Sequence, residues 1–188
     1  VVCSINGTDP TIVMEVFLKK VKAAGFSGVN NFPTIGMIDG NFRAALEDTG
    51  MGYDKEVAVT ALAHKMDFFT TAYAFTADEA RQMAEAGCDC LLAHVGLTVG
   101  GSIGALETMS LDEAADKTRA MADAARAANP DIMVLCHGGP ISSPSDVEEI
   151  LKRVSIDGFV GASSMERLPV EKGIREKTAE FAAIKLKP

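Results

Sequence analysis

Short, nearly continuous apolar runs recur along the chain at positions 1–5, 28–32, 68–75, 90–95, 132–137 and 158–162, each bounded by Gly, Asp or Pro. Unbroken runs of this length belong to strands covered on both faces, the situation of a parallel sheet. Between them the apolar period lengthens to that of a helix. Over 11–24, Val13, Val16, Phe17, Val21 and Ala24 share one face while Lys19, Lys20 and Lys22 stay wet. The segments 51–65, 77–85, 111–128, 145–153 and 170–184 read the same way. Punctuation supports these assignments. Asp9 and Asp39 stand at cap positions, and Pro10, Pro144 and Pro169 fall in first turns. Ser110 and Glu113 have the spacing of a capping box, and Gly25 and Gly87 follow last turns.

Residues 23–29 are echoed at 85–91 as helix end, Gly, short turn and strand, so one supersecondary unit is reused. Six strand–helix units in 188 residues make about 31 residues each, the size of a βα unit. Such alternation builds a parallel sheet with right-handed crossovers. It fits an open doubly wound sheet, or six of the eight units of a (β/α)8 barrel, whose full form takes about 250 residues. The length is that of a single domain, 1–188, able to bury roughly 70% of its unfolded surface without disulfide or metal staples.

Composition narrows the partners. The balance of 18 basic and 26 acidic residues gives −8, which argues against nucleic acid as a partner because phosphate backbones need a basic face. A small anionic substrate remains compatible, since a few local dipoles can hold it. No apolar run approaches the roughly 18–20 residues of a membrane span, and no signal-peptide pattern opens the chain. Cys3 and Cys136 lie in apolar runs, and Cys88 and Cys90 form a C-x-C pair that matches neither the redox nor the zinc spacing. All four are expected to be reduced structural thiols, with a cytoplasmic location. The chain opens on Val1, and the expectation is a piece of a longer multidomain chain, or a homo-oligomer joined at the unpaired edge of 1–5.

The candidate chemistry sits at the carboxyl ends of the runs, where ligands bind in both candidate architectures. Those ends carry Asn6, Asn31, Thr71, His94, His137 and Ser163 with Ser164, whereas the opposite ends are poorer in polar groups. His94 and His137 close consecutive strands. On neighbouring strands about 4.8 Å apart, such a pair can hold a metal or supply acid and base near neutral pH. Gly138, Gly139, Ser163 and Ser164 offer backbone NH groups for an anion. Glu166 can serve as proton carrier or metal ligand, and Arg167 can clamp a carboxylate. The run from Gly96 through Gly100, Gly101 and Gly104 is no P-loop and reads as a hinged lid or as a plain flexible loop.

Taken together, five segments resemble one family: 7–10 (GTDP), 31–40 (NFPTIGMIDG), 94–101 (HVGLTVGG), 137–140 (HGGP) and 161–169 (GASSMERLP). They look like the phosphoenolpyruvate hydrolase-like family, also described as TIM-barrel signal-transduction proteins. The resemblance implies a TIM barrel, kinship with the phosphoenolpyruvate mutase and isocitrate lyase superfamily, and activity on phosphoenolpyruvate or phosphonopyruvate. Family members have about two further βα units upstream, so the implied fold is a (β/α)8 barrel lacking its first two units. Magnesium is implied by the superfamily alone, for no acidic residue ends the runs 68–75 or 90–95.

The combined expectation is a hydrolase or lyase acting on a small phosphorylated or phosphonylated 2-oxo acid. His94, His137 and Glu166 are assigned to catalysis. Asn6, Asn31, Thr71, Gly138, Gly139, Ser163, Ser164 and Arg167 are assigned to substrate binding. The alternative is a non-catalytic barrel module for ligand sensing, signal transduction or antiviral protein binding. This fragment alone is expected to be inactive.

Overall fold

The computed structural model describes residues 1–185. Six strands form one sheet: β1 (Val2–Ser4), β2 (Gly28–Asn30), β3 (Phe69–Ala74), β4 (Cys90–His94), β5 (Met133–His137) and β6 (Gly158–Phe159). All pairs are parallel, and the spatial order is the chain order from β1 to β6. A doubly wound sheet reverses its strand order at a switch point. The unreversed order here is that of a (β/α)8 barrel, carried by six consecutive βα units.

Burial shows which face the helices cover. Along β3 and β5, Thr70 and Val134 are 1% and 0% exposed, whereas their neighbours Phe69 and Met133 are 44% and 43% exposed. The covered positions, Ala72, Ala74, Leu91, Ala93, Val95, Val134 and Cys136, pack into the main core with α4 (Ala77–Glu85), α5 (Leu111–Ala128) and α6 (Pro144–Arg153). Small side chains such as Ala80, Ala84, Ala115 and Ala122 let helix backbones approach closely in that core. A second core joins Ile5, Val29 and Phe68 to Leu18 and Val21 of α1 (Met14–Ala23) and Ala63 of α3 (Tyr53–Lys65). The alternate positions Ser4, Asn30, Thr71, Leu92, Leu135 and the two histidines therefore share the concave face.

The elements differ from the sequence expectation at their ends. Helix α1 begins at Met14 rather than 11, because Asp9 accepts from the Thr11 N–H at 2.8 Å and closes a local turn instead of capping. Asp39 occupies the cap position of α2 (Gly40–Asp48) but makes no side-chain cap bond. That helix and a 3-10 turn at Ile35–Met37 fill a stretch that the apolar pattern left without an element. The last strand stops at Phe159, and α7 (Ser163–Glu166) and α8 (Leu168–Ala182) follow. The capping box of Ser110 and Glu113 is present, as is a second from Ser143 to Asp146.

One buried carboxylate fixes the loop after β2. Glu56, 1% exposed on α3, accepts from Asn31 Nδ2 at 2.7 Å, Thr34 Oγ1 at 2.7 Å and the Ile35 N–H at 2.8 Å. Burial pushes its carboxyl upward, and the three donors pull it back. Removing the acceptor would strand all three buried donors, so Glu56→Ala should cost about 3 kcal/mol in urea unfolding. Glu56→Gln, which keeps one acceptor oxygen, should cost less. A loss for the alanine variant below about 0.5 kcal/mol, the level of an ordinary surface change, would contradict this assignment.

Candidate active site

The β4–β5 register sets His94 directly beside His137, and their ring centroids are 4.8 Å apart. Tyr73, which closes the inward row of β3, completes the cluster at 5.5 Å from His94 and 5.3 Å from His137. These three rings form the floor of a cavity of about 400 Å3. Its sides are Ser4 and Asn30 from the concave face, Phe32 and Met37 from the loop held by Glu56, Leu97 and Thr98 from the loop after β4, and Ser163 and Glu166 of α7.

Main-chain groups fix which nitrogen of each histidine carries the proton. The Gly96 N–H donates to His94 Nδ1 at 3.1 Å, so that nitrogen is an acceptor and the proton is on Nε2. His137 Nδ1 lies 2.7 Å from the Val160 carbonyl, which can only accept, so this ring carries its proton on Nδ1 and leaves a lone pair on Nε2. Two adjacent imidazoles are thus held in opposite tautomers: one Nε2 donates a hydrogen bond and the other accepts one.

Both rings are neutral near pH 7. Burial, followed by the neighbouring His137 and Lys117, brings His94 down to about 3. Burial also lowers His137, against the pull of the Val160 carbonyl. Tyr73 is raised by burial and by the Glu166 charge, so its phenol stays protonated as a further donor. The cavity can therefore stabilise negative charge growing on a carbonyl or enol oxygen through neutral donors, while His137 accepts a proton.

The structure gathers part of the expected set and disperses the rest. His94, His137, Ser163 and Glu166 line the cavity. Thr71 faces the same side and accepts from Asn30 Nδ2 at 2.9 Å. Asn31 points to the helix side. Its Oδ1 accepts from the Tyr73 N–H at 2.7 Å and its Nδ2 donates to Glu56, so it positions the main chain of Tyr73 and does not line the cavity. Asn6 turns onto Thr8, accepting from its N–H and hydroxyl. Arg167 is spent on Gly100 O at 3.0 Å and Glu171 at 3.1 Å, which ties the loop after β4 to α8. The Gly139 N–H is spent on Gly96 O at 2.7 Å. Gly138 (φ 81°) and Gly139 (φ 56°) instead let two loops touch, since a Cβ on either would strike a carbonyl oxygen of 95–96. Ser164 faces a neighbouring cleft. Ser4, Asn30, Tyr73 and Thr98 are the polar cavity residues that the sequence assignment missed, beside the apolar Phe32, Met37 and Leu97.

The donor set does not fit the carboxylate-held magnesium implied by the superfamily. Glu166 is the one carboxylate on the cavity wall, and no group of three His, Cys, Asp or Glu able to hold a metal occurs among the described residues. The thiols are poor ligands as well: burial raises Cys88 to about 12 and Cys90 and Cys136 to about 11. Among the described residues no helix is long and apolar enough to cross a membrane.

The lowered histidines set a pH window for stability. Unfolded imidazole takes a proton near 6.5, whereas folded His94 refuses one until about 3. The stabilisation is therefore complete above pH 6.5 and is lost as the pH falls from there toward 3. Between pH 7 and pH 5, urea unfolding should show a loss of about 1–2 kcal/mol, and His94→Asn should shrink it. An unchanged slope in that variant would contradict the buried neutral state.

The family described as phosphoenolpyruvate hydrolase-like matches residues 1–184. Two Solanum lycopersicum proteins, the ToMV susceptible protein tm-1(GCR26) and the ToMV resistance protein Tm-1(GCR237), are each 52% identical over 187 residues, 99% of this chain. The chain spans 25% of the length of each. Among solved structures, a 2,3-dimethylmalate lyase of the phosphoenolpyruvate mutase/isocitrate lyase superfamily is 12% identical with a TM-score of 0.45, covering 97% of this chain and 82% of that one. On the extent of the family match and the identity to the tomato relatives, the chain belongs to the phosphoenolpyruvate hydrolase-like family.

Proposed function

We propose that this barrel catalyses hydrolysis or lyase-type cleavage of a small phosphorylated or phosphonylated 2-oxo acid of the phosphoenolpyruvate or phosphonopyruvate class. The observation that carries the reading is the opposed pair of tautomers at His94 and His137. In hydrolysis, His137 Nε2 takes a proton from the attacking water, and His94 Nε2–H bonds the oxygen that gathers charge as the bond to phosphorus breaks. In phosphonate cleavage, water attacks phosphorus and gives its proton to the same base, the carbon–phosphorus bond breaks, and His94 with Tyr73 stabilises the pyruvate enolate that leaves. Neutral donors suit both roles, because they bond the developing anion without first protonating the ground state. Glu166, on the cavity wall, relays to the product the proton that His137 has taken up.

A second reading is a ligand-sensing or protein-binding module without turnover. It is favoured by the names of the two tomato relatives, which refer to ToMV susceptibility and resistance and not to a reaction.

Release of phosphate or pyruvate from phosphoenolpyruvate and phosphonopyruvate separates the two readings, measured on the 188-residue chain and on the longest polypeptide that carries it. The catalytic reading expects turnover that falls about 10²–10⁴-fold in His137→Ala and His94→Gln. Turnover that survives both substitutions would contradict it. Ligand-induced thermal stabilisation with no product would favour the sensor.

A further inference from the structure

Among the described residues, no Lys or Arg lines the central cavity. Both histidines are neutral near pH 7, and Glu166 is the one Asp, Glu, Lys or Arg side chain among the described lining residues. A phosphoryl or phosphonyl group needs charge from elsewhere. On the same rim, beyond the loop after β4, lies a larger cleft of about 660 Å3 between Gly100–Gly101, Ser142–Ser143 and the first turns of α8. The two spaces are back to back, for Ser163 faces the first and its neighbour Ser164 the second.

The charge on the second cleft is positive. Lys172 and Arg175 lie on its α8 wall, and neither has an ion-pair partner among the described residues. Glu171 shares the cleft wall with them and Asp146 lies behind Ser142 and Ser143, but both carboxylates are already engaged. Glu171 accepts from Arg167 and from the Ser102 N–H at 2.8 Å, while Asp146 accepts from the N–H groups of Ser142 and Ser143. Val99 and Leu168 add an apolar surface. In a chain of net charge −8, two uncompensated cations over a cavity of ligand size mark a place for an anion.

We infer that this cleft is a second binding site, for a small organic phosphate or phosphonate, with Lys172 and Arg175 holding the anionic head and Val99 and Leu168 meeting a short carbon body. Arginine matches phosphate oxygens bidentately and lysine adds a point charge. The site goes beyond the acid–base reading of the histidine cavity and does not need it. Its ligand is either the phosphoryl end of a substrate that extends over the loop, or a separate effector.

Calorimetric titration of the chain with inorganic phosphate, and separately with phosphoenolpyruvate, tests this. Lys172→Gln/Arg175→Gln, two exposed changes that spare the core, should weaken phosphate binding at least about tenfold, and added salt should do the same to the unaltered chain. His137→Ala should leave phosphate binding as it was, which keeps this result independent of the fate of the catalytic reading. If phosphoenolpyruvate affinity falls with phosphate affinity in the double variant, the cleft holds the substrate's phosphoryl end. If phosphate affinity alone falls, it holds an effector. Equal phosphate affinity in the double variant and the unaltered chain, or no saturable phosphate binding by the unaltered chain, would overturn the proposal.

Discussion

Two main-chain hydrogen bonds, from the Gly96 N–H to His94 and from His137 to the Val160 carbonyl, decide what the centre of this barrel can do. An imidazole free to flip its proton is donor and acceptor by turns. Here each ring has one nitrogen committed, so the nitrogen that remains has one role. The parallel register puts the rings level, and burial keeps them uncharged. A donor and an acceptor side by side form the smallest unit able to stabilise one oxygen while relieving another of its proton.

Much of the rest of the rim serves to hold that pair in place. Gly138 and Gly139 adopt left-handed backbone so that the loop after β5 can lie against the loop after β4, close to the Gly96 amide that orients His94. Asn31 reads the main chain of Tyr73 from the helix side, and Glu56 in turn reads Asn31 and the loop bearing Phe32. Arg167 and Glu171 pin the far part of the loop after β4 onto α8, through Gly100 and Ser102. Polar residues expected to touch a ligand instead brace the loops that shape the cavity, and the cations of the rim fall in the neighbouring cleft.

The alternation of apolar runs and amphipathic stretches made the βα order legible, and both histidines, Ser163 and Glu166, read from the polar carboxyl ends, line one cavity. What the sequence hid was phase. Along a strand, a shift of one residue exchanges the two faces. The sequence therefore assigns Asn31 where Asn30 lines the wall, and leaves Tyr73, at the same strand end as Thr71, without a role. Long-range pairing was equally invisible: Arg167 meets Gly100 from 67 positions away, and nothing near either residue announces it. The helix at Gly40–Asp48 was missed because none of its residues is buried, which leaves no clear apolar period to read.

The account rests on the two tautomers, and long-range 1H–15N correlation of the histidine side chains at pH 7 reports them directly. The expected result is His94 protonated at Nε2 and His137 protonated at Nδ1, with neither a cation at pH 7, His94 refusing a second proton until about pH 3, and His137 taking one only below the ordinary imidazole value. Finding His94 and His137 in the same tautomer, or both as imidazolium at pH 7, would contradict it.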